Sequence, residues 1–197
     1  MDGPIKFENE ITVEVDINLK DLIDLLNKSG CVLNQEYDVN DIYMVKNDID
    51  LNENILEILN NSLLIRNIIT DTKNMKTITY KYKECSDDGK IIKNGNVNCC
   101  VNSIIEAKNL LEVIGYKELL VIKDHLMVYS NDFTEFCIQI VNNKHIYIEM
   151  EEDNEFTGKH YDNINDMIND FNKLNIPIKG NDYFVKKAMI EFNEQYR

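Results

Sequence analysis

Residues 10–19, EITVEVDINL, alternate between apolar and polar side chains. In an extended chain the apolar residues at odd positions lie on one side, and the acidic and hydroxyl residues at the first four even positions lie on the other. The pattern predicts a strand with one face for a core and one polar face. That polar face meets either bulk water or the interior of a binding site. Alternation alone favours water, because antiparallel sheets commonly have one wet side.

Further runs of this kind, several of them separated by short polar turns, predict a meander of antiparallel strands through the middle of the chain. These predicted strands span residues 41–46, 62–70, 75–83, 90–102, 119–129, 134–141 and 145–152. Apolar residues at helical spacing predict helices at five places. The predicted helices span residues 18–30, 53–59, 103–115, 162–174 and 183–192. Together these elements indicate the α+β fold class.

Two of the predicted helices resemble copies of each other. NLKDLIDLLNKSGC and SIIEAKNLLEVIGY align without a gap at an offset of 85 residues, which places Asn18 over Ser103 and Gly30 over Gly115. Capping and packing explain part of this match in any pair of amphipathic helices. Each copy, however, also follows one predicted strand and precedes others. We therefore expect a single domain over residues 1–197, built from two similar halves at about 5–94 and 95–197.

Two such halves would form one antiparallel β-barrel of about eight strands with the helices packed outside, and alternate residues of every strand would share its interior. The polar residues expected there are Glu10, Thr12, Glu14, Asp16, Arg66, Thr77, Thr79, Lys81, Lys83, Lys123, His125, Gln139, Tyr147, Glu149 and Glu151. Lysine and arginine pair with phosphate groups, and carboxylates hold Mg²⁺ or Mn²⁺. Such an interior suits an anionic ligand with a divalent cation. The alternative is that all these faces are solvated.

In order and spacing these segments resemble the CYTH superfamily, also called triphosphate tunnel metalloenzymes, and most closely its class IV adenylyl cyclase branch. EITVEVDINLKDLIDLLNKSG has the spacing of the family's Glu-x-Glu-x-Lys strand and the helix that follows it. DIYMV, LLIR and TYK are similar to the next family strands, and QIVNNKHIYIEME is similar to a late strand pair. The resemblance runs over about residues 8–192.

The resemblance implies a tunnel in which a metal assists attack on a triphosphate, by a ribose hydroxyl in an adenylyl cyclase (a lyase) or by water in a triphosphate hydrolase. It implies that Arg66, Lys81 and Lys123 are catalytic. The implied phosphate-binding residues are Arg66, Lys81, Lys83, Lys123 and His125. The implied ligands of Mg²⁺ or Mn²⁺ are Glu10, Glu149 and Glu151.

The sequence also departs from the family pattern. Thr12 stands in place of the second signature glutamate and Glu14 in place of its lysine, while Leu64, His125 and Gln139 replace an Arg, an Arg and an Asp. The changes at Glu14, Leu64 and His125 remove cations from a site that must hold a polyanion, and those at Thr12 and Gln139 remove carboxylates. Three hypotheses follow: a working cyclase or triphosphatase, a catalytically degenerate protein that binds or regulates through another ligand, and a barrel whose polar interior is only structural.

Composition restricts the partners. The chain has 197 residues, with 21 basic and 35 acidic side chains and a net charge of −14. Nucleic acids and anionic membranes require a basic surface, so we expect neither as a partner. We expect a small phosphate-containing molecule as the ligand. Whether the chain also forms a homodimer stays open. Without an apolar leader or membrane span, and with five cysteines in no metal-binding pattern, a cytoplasmic protein with reduced thiols is expected.

Overall fold

The computed structural model describes residues 6–51, 54–85 and 91–196. The predicted turn over residues 86–90 and the predicted start of a helix at residue 53 lie outside these ranges. The described strands are β1 Lys6–Phe7, β2 Glu10–Glu14, β3 Val32–Lys46, β4 Leu63–Ile69, β5 Asn74–Cys85, β6 Ile91–Cys100, β7 Tyr116–Ser130, β8 Glu135–Val141 and β9 His145–Glu151. The described helices are α1 Leu19–Lys28, α2 Ile55–Asn60, α3 Ile104–Val113, α4 Ile164–Lys173 and α5 Lys187–Tyr196.

The strands follow the hydrogen-bonded order β1-β6-β5-β4-β3-β7-β8-β9-β2. Every strand pair whose register is described is antiparallel. This confirms the predicted α+β class with one antiparallel sheet. Nine strands are found in the described part of the chain, where about eight were expected, and the shortest of them is the two-residue β1.

The chain divides into two compact units. The first unit comprises Met1–Phe7, Asp38–Lys123 and Lys186–Arg197, and the second comprises Glu8–Tyr37 and Asp124–Val185. Each unit therefore contains segments from both predicted halves, and β3 and β7 contribute residues to both. The division into similar halves stays a prediction.

The first unit has a small core between its sheet and helix α3. Met44, Ile65, Ala107 and Leu111 are buried there, and Ile78 packs against them from β5. The alternation of β4 and β5 produces this arrangement, because the side chains of successive strand residues point to opposite faces. One face of these strands therefore meets the helix, and the other face carries the polar residues.

The second unit has the larger core. Ile11 and Val13 of β2 and Ile148 of β9 are buried in it, together with Leu22 of α1 and Phe171 of α4. The odd positions of the EITVEV segment therefore face the core, as the alternation predicted. Burial of each such aliphatic side chain contributes about 1.5–3 kcal/mol to the free energy of folding.

Strand β2 is covered along both of its edges. On one edge it pairs with β9. On the other edge lies the segment of residues 177–185, where the backbone N–H of Thr12 donates to Tyr183 O at 3.0 Å and the N–H of Val185 donates to Thr12 O at 3.0 Å. The N–H of Lys179 also donates to Glu14 O at 2.8 Å. An extended backbone here explains why α5 begins at Lys187 and not at the predicted residue 183.

Helices α1 and α3 match at the predicted offset of 85 residues. Each spans ten residues, and the side chains of Asn18 and Ser103 accept hydrogen bonds from backbone N–H groups three residues further on. Gly30 and Gly115 follow the two helices with φ angles of 73° and 97°. A left-handed backbone at this position favours glycine, which ends the helix at low cost.

The helices are all short. Among the described residues no helix is both long and apolar enough to cross a bilayer. The predicted cytoplasmic location stays a prediction.

Candidate functional site

The first unit carries a polar face on the side of β3, β4, β5 and β6 away from α3. The strand register sets Asp41 opposite Arg66, Arg66 opposite Thr77, and Lys81 opposite Asn96. Lys83 lies two residues further along β5 on the same face, opposite Asn94. The alternation predicted from the sequence therefore places Arg66, Lys81 and Lys83 on one surface.

Asp41 and Arg66 form a two-point ion pair on this face. Arg66 Nε donates to Asp41 Oδ1 at 2.8 Å, and Arg66 Nη2 donates to Asp41 Oδ2 at 2.7 Å. Burial of Asp41 alone would raise the pKa of its carboxyl group. The hydrogen bonds and charge of Arg66, together with the charges of Lys81 and Lys187, outweigh that effect and hold the pKa below its usual value. Asp41 is therefore a permanent anion within a group of cations.

The pKa of Lys81 is strongly lowered. Burial is the main cause, and the like charges of Arg66, Lys83 and Lys187 add to it, while Asp41 acts in the opposite direction. Together they lower the pKa of Lys81 from 10.5 to about 8. Four cations, Arg66, Lys81, Lys83 and Lys187, thus lie close enough to Asp41 or to one another to interact electrostatically. An anion that bound beside Lys81 would favour its protonated form.

Direct titration of Lys81 tests this electrostatic arrangement. We expect the Nζ resonance of Lys81, followed by nitrogen-detected NMR, to titrate near pH 8. Arg66→Gln removes a like charge and should raise this pKa, whereas Asp41→Asn removes an opposing anion and should lower it. A midpoint near 10.5 in the unmodified protein would contradict the described environment.

Lys123 is less clearly part of this group. It is an exposed residue of β7 in the first unit. The largest electrostatic effects on Asp41 and Lys81 come from other residues. Its predicted catalytic role is not supported by these contacts and stays a prediction.

The second unit has its own polar face, formed by β2, β9 and β8. Glu10 lies opposite Glu151, and Thr12 lies opposite Glu149. Glu10 is buried and accepts a hydrogen bond of 3.3 Å from Thr12 Oγ1, Glu149 is half-buried, and Glu151 is exposed. Residues opposite each other on antiparallel strands have Cβ atoms about 5 Å apart. The three predicted metal ligands therefore share one face of two neighbouring strands.

Carboxylate oxygens are suitable donors for Mg²⁺ or Mn²⁺, so the chemistry of these three residues, though not their present geometry, suits such a cation. Among the described residues, however, a different group has its potential donor atoms within 4.8 Å of one another. It consists of Glu152, Asp153 and His160. The donor atoms of Glu10, Glu149 and Glu151 do not form such a group. A cation there would require their side chains to turn towards one another.

Glu14 has partners of its own. Lys179 Nζ lies 2.7 Å and His145 Nδ1 lies 2.9 Å from Glu14 Oε1. Burial raises the pKa of Glu14, but these two partners more than offset it and the net pKa lies below its usual value. Where the resemblance led us to expect a lysine in the signature strand, the chain has a carboxylate whose charge is compensated by Lys179 from residues 177–185.

His125 does not lie on the polar face that contains Gln139, and its phosphate-binding role stays a prediction. It is paired with Ile140, whereas Gln139 is paired with Leu126. His125 therefore shares its face with Met127 and Tyr129, which belong to the apolar core. Its Nε2 atom lies 3.1 Å from Glu36 Oε1. The sequence pattern misplaced His125 because a strand buried on both faces has no clear alternation.

Three residues of these two faces were missing from the predicted site. Asp41 was identified only as part of a family-like strand, although an acidic residue opposite an arginine is a signal that pairing could reveal. Lys187 and Lys179 come from the last part of the chain. No local pattern relates them to the strands beside which they lie.

Comparison with known proteins gives the fold a context. No significant match to a protein-family model or to a curated protein sequence was found. Solved structures do match, at low sequence identity. PH1819 from Pyrococcus horikoshii OT3 is 16% identical with a TM-score of 0.66, over 96% of this chain and 100% of that one.

Two similar structures have names that mention a reaction. A "putative adenylyl cyclase" from Hippeastrum, with a dominant triphosphatase activity, is 12% identical with a TM-score of 0.59, over 95% of this chain and 96% of that one. A "putative adenylate cyclase" from Bacillus halodurans is 11% identical with a TM-score of 0.56, over 94% of this chain and 98% of that one. At this identity the likeness concerns the fold. The chain therefore shares its fold with these named cyclases, in agreement with the fold that its sequence motifs predicted.

Proposed function

We propose that this chain binds a triphosphate, inorganic or nucleoside, together with a divalent cation, and that the phosphates contact the polar face of the first unit. The observation that carries the proposal is the group of Arg66, Lys81, Lys83 and Lys187 near the carboxylate of Asp41. Cations held close together on a structured surface repel one another, and a polyanion relieves that repulsion. The fold shared with named cyclases and a triphosphatase supports the same class of ligand.

Charge is distributed unevenly in a way that supports this choice of surface. The first unit contains 15 basic and 16 acidic residues, a net charge of −1, and the second contains 6 basic and 19 acidic residues, a net charge of −13. A polyanion is repelled much less by the nearly neutral unit. Within the second unit, Glu10, Glu149 and Glu151 are the residues that would hold Mg²⁺ or Mn²⁺.

The proposed activity of the complex is that of a class IV adenylyl cyclase or a triphosphatase. A second candidate is a catalytically inactive protein that binds its ligand without turnover. Glu14 favours this second candidate. It stands where the resemblance implied a lysine, and its carboxylate contacts Lys179 and His145. Because the first unit keeps its cationic face in either case, binding is expected under both candidates.

Calorimetric titration with tripolyphosphate and with ATP, each with and without Mg²⁺ or Mn²⁺, tests the proposal. We expect saturable binding of at least one ligand, strengthened by the cation. A parallel assay for released phosphate and pyrophosphate separates the two candidates: turnover supports the enzyme, and binding without turnover supports the binding protein. If neither ligand binds to a folded sample under any of these conditions, the proposal is wrong.

The pH dependence of binding should follow Lys81. Because its pKa in the free protein is about 8, Lys81 must take up a proton to bind an anion above that pH. Affinity for tripolyphosphate should therefore decrease about tenfold between pH 7 and pH 9. The ligand also titrates in this range, so the matched control is Lys81→Met, in which only the ligand's own contribution remains. Equal pH profiles for the two proteins would contradict the role of Lys81.

A further inference from the structure

The polar face of the first unit carries a continuous series of hydrogen bonds between uncharged side chains. The Oγ1 atoms of Thr77 and Thr79 lie 3.0 Å apart. Thr79 Oγ1 donates to Asn98 Oδ1 at 2.7 Å, and Asn98 Nδ2 donates to Asn96 Oδ1 at 2.7 Å. These four residues, which we call the Thr–Asn chain, extend from β5 to β6, and the phosphate site proposed above does not include them.

The Thr–Asn chain has one direction. A hydroxyl group has a single hydrogen, and that of Thr79 is used in the bond to Asn98. In the pair of threonines, Thr77 is therefore the donor and Thr79 the acceptor. Every bond of the chain thus runs from Thr77 towards Asn96. Hydrogen bonds that follow one another in the same direction polarise and strengthen each other.

Asn96 is the donor end of the chain. Its Oδ1 atom accepts from Asn98, and the oxygen and nitrogen of an amide lie on opposite sides of the group. Asn96 Nδ2 is therefore turned away from Asn98. The side chain of Asn96 is exposed, so the hydrogens on Nδ2 can reach a bound molecule.

The position of Asn96 places this donor beside the cations. The register of β5 and β6 sets Asn96 directly opposite Lys81. Residues in such a pair have Cβ atoms about 5 Å apart and share one face of the sheet. The other end of the Thr–Asn chain, Thr77, lies opposite Arg66. A molecule that contacts Lys81 is therefore close to the amide of Asn96.

Burial explains only the first part of the Thr–Asn chain. Thr77 and Thr79 are 5% and 1% exposed, and buried hydroxyl groups need hydrogen-bond partners. Asn98 provides that partner. Asn98 and Asn96 are both exposed, so water could accept the bond that Asn98 donates to Asn96. Asn96 is thus not required to satisfy a buried group, and its fixed orientation calls for another explanation.

We propose that Asn96 is a further binding residue of the phosphate site, an uncharged donor that the Thr–Asn chain orients towards an anionic oxygen. The proposal rests on the proposed function, because the oxygen in question belongs to a phosphate of the triphosphate. With its carbonyl group already bonded, Asn96 offers hydrogens only, which suits an oxygen that accepts and does not donate. An amide also adds a donor without adding a positive charge to cations that already repel one another.

Asn96→Ala tests the contact itself. Calorimetry with tripolyphosphate should show binding about tenfold weaker than in the unmodified protein, the effect of losing one hydrogen bond to a charged acceptor. An amide does not titrate between pH 7 and pH 9, so this loss should be the same at both values. The loss in Lys81→Met should instead be smaller at pH 9, where Lys81 is mostly uncharged. A change in the pH profile of Asn96→Ala would mean that Asn96 acts only through Lys81, and the proposal would be wrong.

Asn74→Ala is the matched control. Asn74 is an exposed residue of the same unit, but its partner is Ile69 and it lies on the opposite face of β5 from Thr77. The same amide is removed, and we expect the affinity for tripolyphosphate to change less than about twofold, because the group is not at the site.

Thr79→Val tests whether the chain orients Asn96. Valine keeps the shape of the threonine side chain and removes the hydroxyl group, so the amides of Asn98 and Asn96 can turn over. We expect the affinity for tripolyphosphate to decrease about threefold, and Asn96→Ala to cost only about a further threefold in this background. A tenfold loss from Asn96→Ala in both backgrounds would show that the chain does not orient the donor.

The same titrations distinguish this proposal from the proposed function. If tripolyphosphate binds and Lys81→Met weakens it, but Asn96→Ala binds as tightly as Asn74→Ala, the role of Asn96 is wrong and the proposed function stands. If the unmodified protein binds no triphosphate with or without Mg²⁺ or Mn²⁺, both are wrong.

Discussion

Replacing Lys81 by methionine is expected to weaken the binding of tripolyphosphate by about 10- to 100-fold. A charge-assisted hydrogen bond contributes about 1.5–3 kcal/mol, which corresponds to a change of this size. Lys81 lies on the same face as Arg66 and has its pKa lowered to about 8 by burial and by neighbouring cations. Methionine retains the apolar stem of the side chain and removes only the charge, so calorimetry on the folded variant reports the contribution of the ammonium group.

Lys76→Met is the matched control for this substitution. Lys76 belongs to the same strand, β5, but its register partner is Asn67 and it lies on the opposite face from Thr77 and Lys81. The Lys76→Met substitution removes the same charge from the same unit. We expect it to change the affinity for tripolyphosphate less than threefold, because screened charges act weakly over distance. If both variants lose affinity equally, the ligand responds to net charge and the polar face is not the site.

Asp170→Asn is expected to lower the stability of the protein by about 2–4 kcal/mol. Asp170 is buried on α4 and accepts hydrogen bonds from Lys159, from Lys173 Nζ at 2.6 Å and from Tyr161 OH at 3.0 Å. The substitution weakens three hydrogen bonds to a buried, charged acceptor, while Lys159 and Lys173 stay partly solvated. Thermal unfolding should show a melting temperature roughly 5–15 °C lower, given the size of the chain.

Asp170 also makes the free energy of unfolding depend on pH in the acid range. Burial raises the pKa of Asp170, but hydrogen bonds from Lys159, Lys173 and Tyr161 outweigh it and hold the pKa below the usual value of 3.8. Its contribution is therefore fully present above pH 3.8 and is lost as the pH falls through the lower folded-state pKa. Asp162→Asn is the control, because that side chain is 92% exposed. Equal melting temperatures for the two variants would show that the Asp170 network contributes nothing measurable.

The strands and helices could be predicted wherever one face of an element is buried. The alternation in β2, β4, β5 and β9 determines which side chains face a core, and the spacing of apolar residues determines α1, α3 and α4. The first part of β3 was missed. Val32 and Leu33 at its beginning are both exposed, so no alternating apolar face marks residues 32–40 as a strand.

The candidate site was only partly predictable, for a related reason. Arg66 and Lys81 follow from alternation within single strands, and the register brings them together. The positions of Lys179 and Lys187 depend on where the last part of the chain returns to the sheet, which is a long-range property of the fold. His125 was placed on the wrong face because its strand is buried on both sides.

The covering of β2 by residues 177–185 has a consequence for the behaviour of the protein in concentrated solution. A strand with a free edge exposes unpaired backbone donors and acceptors, which can recruit a strand from another molecule and start aggregation. In β2 those groups are already used, through the bonds to Tyr183, Val185 and Lys179. The chain thus protects its most regular alternating segment with its own backbone, and solubility depends on a segment that carries no regular strand or helix.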